Sequence, residues 1–141
     1  MTVAVKRIYE PPSRADGARI LVDRLWPRGL SKANAAVHEW MRNLAPSDAL
    51  RKWFHSQPDH WLTFRRKYLK ELSHPEAEAE LRKLYALTYK KKRLTLLFAS
   101  KNEEHNNALV LKELLDGMRK PPTGTGPARS QEARRRTLRR S

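Results

Sequence analysis

Residues 19–29 read RILVDRLWPRG, and this stretch decides the fold. It begins with a nearly continuous apolar run around Leu21, which is typical of a strand covered on both faces in a parallel sheet. We therefore predict a strand over residues 18–24 at the centre of the sheet. Asp23 would then lie at the carboxyl end of that strand, and in open α/β sheets ligands bind at this edge.

Further strands are predicted on both sides of this stretch. Residues 2–9 are rich in apolar side chains and are joined to the central strand by a loop over residues 10–17 that contains Pro, Ser, Asp and Gly. Residues 94–99 form a second buried strand. Residues 37–44 alternate less cleanly and predict a short strand or an irregular segment.

Four helices are predicted from apolar residues spaced i, i+3, i+4. Ser47 is the candidate N-cap of the first helix, and Pro58 can begin the second. Residues 73–76 have capping-box spacing for the third, and the fourth begins at residue 103 or 104. Strands separated by helices predict an α/β fold: a three-layer sandwich with a small, mostly parallel sheet and flanking helices. The aromatic residues predicted to face inward are Trp53, Phe54, Trp61, Phe64, Tyr68 and Tyr85, and Trp40 is predicted to be core as well.

Composition limits the class of protein. The 141 residues, of which 39% are hydrophobic, allow one domain. The chain has no cysteine, which excludes disulfide frameworks, thiolate zinc sites and cysteine nucleophiles. Residues 1–10 show no charged segment that leads into an apolar stretch, and the longest apolar run is far shorter than a membrane span. We therefore expect a cytoplasmic protein with no membrane partner.

Nearly half of the net charge of +15 lies in a short C-terminal segment. Residues 1–118 hold 22 basic and 14 acidic side chains, whereas residues 119–141 hold eight basic and one acidic. Proline, glycine and arginine dominate residues 119–141, and such a stretch cannot bury enough apolar surface to offset its ordering entropy. We predict an α/β domain over 1–118 followed by a disordered basic tail over 119–141. The tail could bind nucleic acid phosphates or serve as a solubilising extension.

The first cluster of candidate site residues follows the central strand. Asp23 can act as an acid, a base or a hydrogen-bond acceptor, and Arg24 and Arg28 can bind anionic oxygens. The alternative is structural: Asp23 forms a salt bridge with one of these arginines, and Trp26 packs in the core.

The second cluster opens the first long helix. The free amides at Ser47 and the guanidinium of Arg51, one turn later, could together hold a phosphate or a carboxylate. Ser47 is equally explained as an N-cap. His55 and His60 lack the i, i+4 spacing that would place two metal ligands on one helical face, and no metal site is predicted.

The third cluster follows the last strand. Lys101 supplies positive charge, His105 can exchange protons near neutral pH, and Asn106 can both donate and accept hydrogen bonds. Glu103 and Glu104 are expected to complement the dipole of a first helical turn. A glycine-rich phosphate loop is missing from the sequence, and no cofactor is predicted.

Three interpretations follow from these clusters. In the first, the protein binds a small anionic ligand that carries a phosphate or a carboxylate, a nucleotide being one candidate, and an enzymatic role for Asp23 and His105 stays open. In the second, a basic face and the Arg-rich tail bind nucleic acid. In the third, the clusters are structural salt bridges.

The same three clusters resemble the YeaO-like family, also called domain of unknown function 488. The resemblance extends from about Val5 to Leu115, and it rests on residues 20–29, on residues 44–47 with Leu50 and Arg51, and on residues 95–99 with His105 and Asn106. The first of these motifs combines Asp, Trp, Pro and Arg in a fixed order that rarely arises by chance. The resemblance implies a single α/β domain and leaves the biochemical function open.

Overall fold

A four-stranded parallel sheet organises the protein. The structure is a computed structural model that describes residues 2–117. The strands lie in the order β1-β4-β2-β3, and every pair is parallel. The elements, in chain order, are β1 (Thr2–Arg7), β2 (Ala18–Leu21), α1 (Lys32–Ala35), β3 (Glu39–Trp40), α2 (Asp48–Ser56), α3 (Trp61–Glu71), α4 (Pro75–Lys90), β4 (Arg93–Phe98) and α5 (Asn107–Gly117).

The predicted α/β fold is confirmed, and β2 is an interior strand as expected. It lies between β4 and β3, with Leu21 opposite Leu97. The strand ends at Leu21 and not at Arg24, although the amide of Val22 still donates to the carbonyl of Leu97 at 3.2 Å. Asp23 therefore lies outside the sheet, one residue after the last hydrogen bond that joins this segment to β4.

Alternate residues of each strand point to opposite faces of the sheet. Helices α2 to α5 cover one face and enclose the larger core. The other face is covered by the single turn of α1 and by loop residues that pack on Leu21 and Leu97, so the third layer of the sandwich is thin. The larger core includes Ile20, Leu96 and Phe98 from the sheet and Tyr68, Leu84 and Leu111 from the helices.

The aromatic residues predicted as core all pack against one of the two cores. Phe64 and Tyr68 are buried, and the hydroxyl of Tyr68 donates to the carbonyl of Leu44. Trp53 and Phe54 are half-buried against the larger core, and Trp40 is half-buried against the smaller one.

Three predicted helix starts are wrong. Helix α3 begins at Trp61 rather than Pro58 because residues 58–59 form a turn. The capping box at Ser73 is not formed: Pro75 opens α4, and the Ser73 hydroxyl donates to the carbonyl of Lys70 at 2.6 Å. Helix α5 begins at Asn107, so the predicted start at residue 103 or 104 falls in the preceding loop.

Buried ion pairs join the loop before β2 to β1 and to β2. Asp16 forms ion pairs with Arg19 and with Lys6, the latter at 3.1 Å, and Arg19 also donates to the carbonyl of Ala35 at 2.8 Å. Burial raises the pKa of Asp16, but hydrogen bonds from the Ser13 amide, Lys6 and Arg19 outweigh it, so its pKa lies below the usual value.

The predicted tail, residues 119–141, lies outside the described residues. Within residues 2–117, no helix is long and apolar enough to cross a membrane.

Candidate functional site

A cleft of about 660 Å³ opens at the carboxyl edge of the sheet, where β2 and β4 end and where α2 and α5 begin. Parallel strands bring their carboxyl ends to one edge, so the first and third clusters meet here. Six of the predicted site residues line the cleft: Asp23, Arg24, Arg28, Arg51, Lys101 and Asn106. Ser47 and His105 are not among its lining residues.

The Asp23 carboxylate is held by neutral N–H donors. Its Oδ2 accepts from the amide of Ala99 at 2.9 Å, and its Oδ1 accepts from Nδ2 of Asn107 at 3.1 Å. Asn107 also donates to the carbonyl of Val22 at 2.8 Å, so it joins the start of α5 to the end of β2. Within residues 2–117, no Lys, Arg or His nitrogen lies within 4.0 Å of this carboxylate.

Burial raises the pKa of Asp23 above its ordinary value of 3.8. Hydrogen bonds from Ala99 and Asn107 and the positive charge of Arg51 oppose this effect without cancelling it. A carboxyl group with a raised pKa inside a cleft is a frequent property of functional sites.

Arg24 holds the loop that precedes α2 in place. Its Nε donates to the carbonyl of Pro46 and its Nη2 to the carbonyl of Ala45, both at 3.3 Å. These contacts use two of the five N–H groups of the guanidinium. Arg24 therefore holds the loop before α2 against the sheet edge and keeps donors for a ligand.

Arg28 is exposed at the cleft on a tight turn. Its carbonyl accepts from the hydroxyl of Tyr9 at 2.9 Å, and the following Gly29 has a φ of 80°, a conformation that glycine adopts without strain. Within the described part of the chain, no acid lies within 4.0 Å of the Arg28 guanidinium.

Arg51 and Lys101 approach the cleft from the other two clusters. Arg51 forms an ion pair with Asp48 at 2.6 Å, but both side chains are about half exposed, so the pair stabilises the fold only weakly. Lys101 is exposed and, among residues 2–117, has no acid within 4.0 Å.

Asn106 is buried and closes the loop after β4. Its Oδ1 accepts from the amide of Leu109 at 3.0 Å, as an N-cap of α5 does, and its Nδ2 donates to the carbonyl of Asn102 at 2.9 Å. The side chain of Asn102 accepts from the amides of Glu104 and His105, both at 3.0 Å. Because α5 starts later than predicted, Glu104 is exposed in this loop, as is Glu103, and does not lie in a first helical turn.

Ser47 is an N-cap, as one of the two interpretations had it. Its Oγ accepts from the amide of Leu50 at 3.1 Å. The same hydroxyl and the Ser47 amide both donate to the carboxylate of Glu71, at 2.6 and 2.8 Å, and so tie the start of α2 to the end of α3. A carboxylate of the chain itself thus occupies the helix start where an external anion was expected.

His105 stacks on Trp61. The ring centroids are 4.5 Å apart, and the ring planes are inclined by only 10°. The stack packs the loop before α5 against α3. Trp61 in turn contacts Phe54 of α2 and Phe64 of α3, so the imidazole lies at the end of this aromatic cluster.

Apolar side chains form most of the cleft wall. Phe54 stacks on Phe64 with ring centroids 4.3 Å apart, and Trp26 packs edge-on against Trp40 at 5.4 Å. Trp26 packs on the smaller core, as the structural alternative predicted, and it also lines the cleft.

Sequence reasoning missed several residues of the site. Asn107 was not singled out, although an amide that follows a strand by several residues can reach back to that edge. Tyr9 and Phe54 line the cleft, and Glu71 caps α2 from a distant helix; periodicity gives no signal for either role. Among residues 2–117, no group of three or more His, Cys, Asp or Glu side chains is placed to hold a metal.

Comparison with known proteins identifies the family. The family described as the inactive DUF488-N3 subclade matches residues 2–130. The uncharacterized protein YeaO of Escherichia coli is 47% identical over 115 residues, which cover 82% of this chain and 97% of that protein. The uncharacterized protein Rv3073c of Mycobacterium tuberculosis is 40% identical over 115 residues, which cover 82% of this chain and 94% of that protein. No solved structure matches the chain. The chain belongs to the YeaO-like DUF488 family, as the sequence motifs indicated.

Proposed function

We propose that this DUF488 protein binds a small anionic ligand, bearing a phosphate or a carboxylate, in the cleft at the carboxyl edge of its sheet. The observation that carries the proposal is an imbalance of charge. Three cations, Arg24, Arg28 and Lys101, stand at the cleft with no acid of the described residues within 4.0 Å, and Arg51 lines the cleft as well, although it is paired with Asp48. Like charges that share a site repel, and an anion from solution offsets this repulsion.

The cleft wall also favours an organic anion over a bare inorganic one. Ligand sites are mostly apolar, with a few polar groups that fix the orientation of the ligand. Phe54 and Trp26 provide apolar surface here, and the cations provide the polar groups. A nucleotide or another anion with an aromatic ring fits this combination.

Binding without turnover is the form of the function that we favour. The matching subclade is described as inactive. Asp23 has the position and the environment of an acceptor in the cleft, whereas the stacking of His105 on Trp61 supports a structural role more than proton transfer. We place this activity in the cytoplasm, since a chain without cysteine suits a reducing compartment.

A thermal-shift screen of the full chain tests the proposal. Phosphate, phosphorylated metabolites and carboxylates are each titrated, and a binding anion raises the melting temperature because it binds only the native state. Arg51→Ala and Arg28→Ala should lose most of the shift and remain folded. Arg82→Ala is the matched control, because Arg82 is exposed and paired with Glu78 on α4, and it should keep the full shift. Equal shifts in all variants, or no response to any anion, would overturn the proposal.

Nucleic acid is the second candidate partner, and one observation favours it. Lys90, Lys91 and Lys92 are consecutive, exposed residues at the end of α4. This run could contact phosphates together with the Arg-rich tail. An affinity for DNA or RNA that falls steeply with salt, with a shallower slope after Lys91→Gln and Lys92→Gln, would support it, whereas an unchanged slope would count against this surface.

A further inference from the structure

The Asp23 carboxylate has acceptor capacity that the fold does not use. An ionised carboxylate offers about four lone-pair positions. The amide of Ala99 and Nδ2 of Asn107 each supply one donor, at 2.9 and 3.1 Å. No further donor to this carboxylate is found within residues 2–117, although the group lines the cleft. A ligand that fills the cleft therefore meets a negative group as well as positive ones.

The negative and positive groups of the cleft differ in their exposure to solvent. Asp23 lies at the end of β2, largely buried between the end of β4 and the start of α5. Arg28, Arg51 and Lys101 are exposed. An anionic group beside Asp23 would be repelled, whereas the same group at the exposed cations would be attracted. The anionic group of a ligand is thus directed to the exposed cations and away from Asp23.

From this arrangement we infer that the cleft selects a ligand with two different polar ends joined by an aromatic ring. One end carries an N–H group that donates a hydrogen bond to Asp23. The other end carries a phosphate or carboxylate that is bound by Arg28, Arg51 and Lys101. The ring lies along Phe54 and Trp26, which line the cleft and are partly exposed. This inference rests on the proposed function, since it specifies the ligand of the same cleft. Two sources fit the chemistry: an amino-substituted nucleotide and a smaller aryl amine with an anionic group.

Matched pairs of probes separate the donor from the anion. Adenosine 5′-monophosphate is compared with purine riboside 5′-monophosphate, and 4-aminophenyl phosphate is compared with phenyl phosphate. The members of each pair differ only in the amino group. Dissociation constants are measured by calorimetry on the full chain. Because a hydrogen bond to a charged group is among the stronger ones, we expect the amino member of the preferred pair to bind at least about tenfold tighter.

Two variants assign this preference to Asp23. Asp23→Asn should reduce the preference to about onefold, because the amide offers a donor where the carboxylate offered an acceptor. Arg28→Ala should weaken both members of a pair by the same factor and leave the preference unchanged, because Arg28 lines the cleft and, unlike Arg51, is not among the charges that act on the Asp23 carboxyl. Should Asp23→Asn fail to fold, the preference of the native protein and its persistence in Arg28→Ala still decide the question.

The outcomes distinguish this inference from the proposed function. Equal binding of both members of each pair, or tighter binding of the members without an amino group, overturns the selection by Asp23 while anion binding stands. No binding of any probe, together with no thermal shift by inorganic phosphate, overturns both. A preference shown by only one pair identifies whether the nucleotide or the smaller aryl phosphate is the better representative of the ligand.

Discussion

Replacing Phe64 by alanine tests the packing beneath the cleft. Phe64 is 2% exposed and lies between Phe54, Trp61 and Tyr68, with ring centroids 4.3, 5.6 and 5.7 Å away. Truncation of a buried phenylalanine costs about 3–5 kcal/mol, from lost transfer free energy and from the cavity left behind. One side of Phe64 lines the cleft, so water can enter part of the new space. We therefore expect a loss near the lower end, about 3 kcal/mol.

Urea denaturation followed by tryptophan fluorescence measures this loss. The control is Leu62→Ala on the same helix, because Leu62 is 76% exposed and its truncation should change the free energy of unfolding by less than about 0.5 kcal/mol. The slope of the transition should be similar in both variants. A near-neutral Phe64→Ala, or a loss equal to that of Leu62→Ala, would show that the ring is exposed, and base stacking by this surface would become the better interpretation.

The remaining predictions concern caps, charges and the tail. Ser47→Ala should cost about 1–2 kcal/mol in urea denaturation, because it removes the N-cap of α2 and a donor to Glu71, and a cost below about 0.5 kcal/mol would contradict the cap. Asp16→Ala should cost about 3–5 kcal/mol, because it leaves a buried arginine without its partner, and a neutral result would show that the site relaxes. Burial raises the pKa of Asp23 in the folded protein above 3.8, so the folded state binds the proton more tightly than the unfolded state and Asp23 favours folding most at low pH. The free energy of unfolding of the native protein, relative to that of Asp23→Asn, should therefore fall as the pH rises from below 3.8 through the raised pKa. A difference that stays constant with pH would refute the raised pKa. Removal of residues 119–141 should leave the melting temperature nearly unchanged, and a large drop would show that this segment docks on the domain.

The sequence was most informative about the sheet. The apolar run ending at Val22 and the run of residues 94–98 correspond to the two interior strands, because residues buried on both faces leave a continuous apolar signal. Their shared carboxyl edge then predicted that the first and third clusters would meet, and Asp23 and Lys101 line one cleft. Topology alone is enough for this inference, since parallel strands have one carboxyl edge.

Helix starts and side-chain partners were harder to predict because they depend on contacts between distant segments. Ser73 has the spacing of a capping box, but Pro75 can open a helix without a donor, and the chain uses it. Likewise, no local pattern shows that Glu71 caps α2 or that Asn107 holds Asp23. Both contacts join residues that are adjacent only after α2, α3 and α5 have packed on the sheet.

The placement of charge bears on whether the site is a structural salt bridge. A direct ion pair between Asp23 and Arg24 or Arg28 would neutralise both partners, and the structure contains no such pair. Arg24 donates to backbone carbonyls, and Arg28 is exposed at the surface. The Asp23 carboxylate accepts only from neutral N–H groups. The chain does build buried ion pairs, but it builds them around Asp16, which pairs with Arg19 of β2 and with Lys6 of β1. A carboxylate that receives only neutral donors has no ion-pair partner to compensate its charge, and the same holds for a cation that meets only carbonyls. The edge that follows β2 therefore retains both signs of charge for a ligand, which a structural salt bridge in the same place would have cancelled.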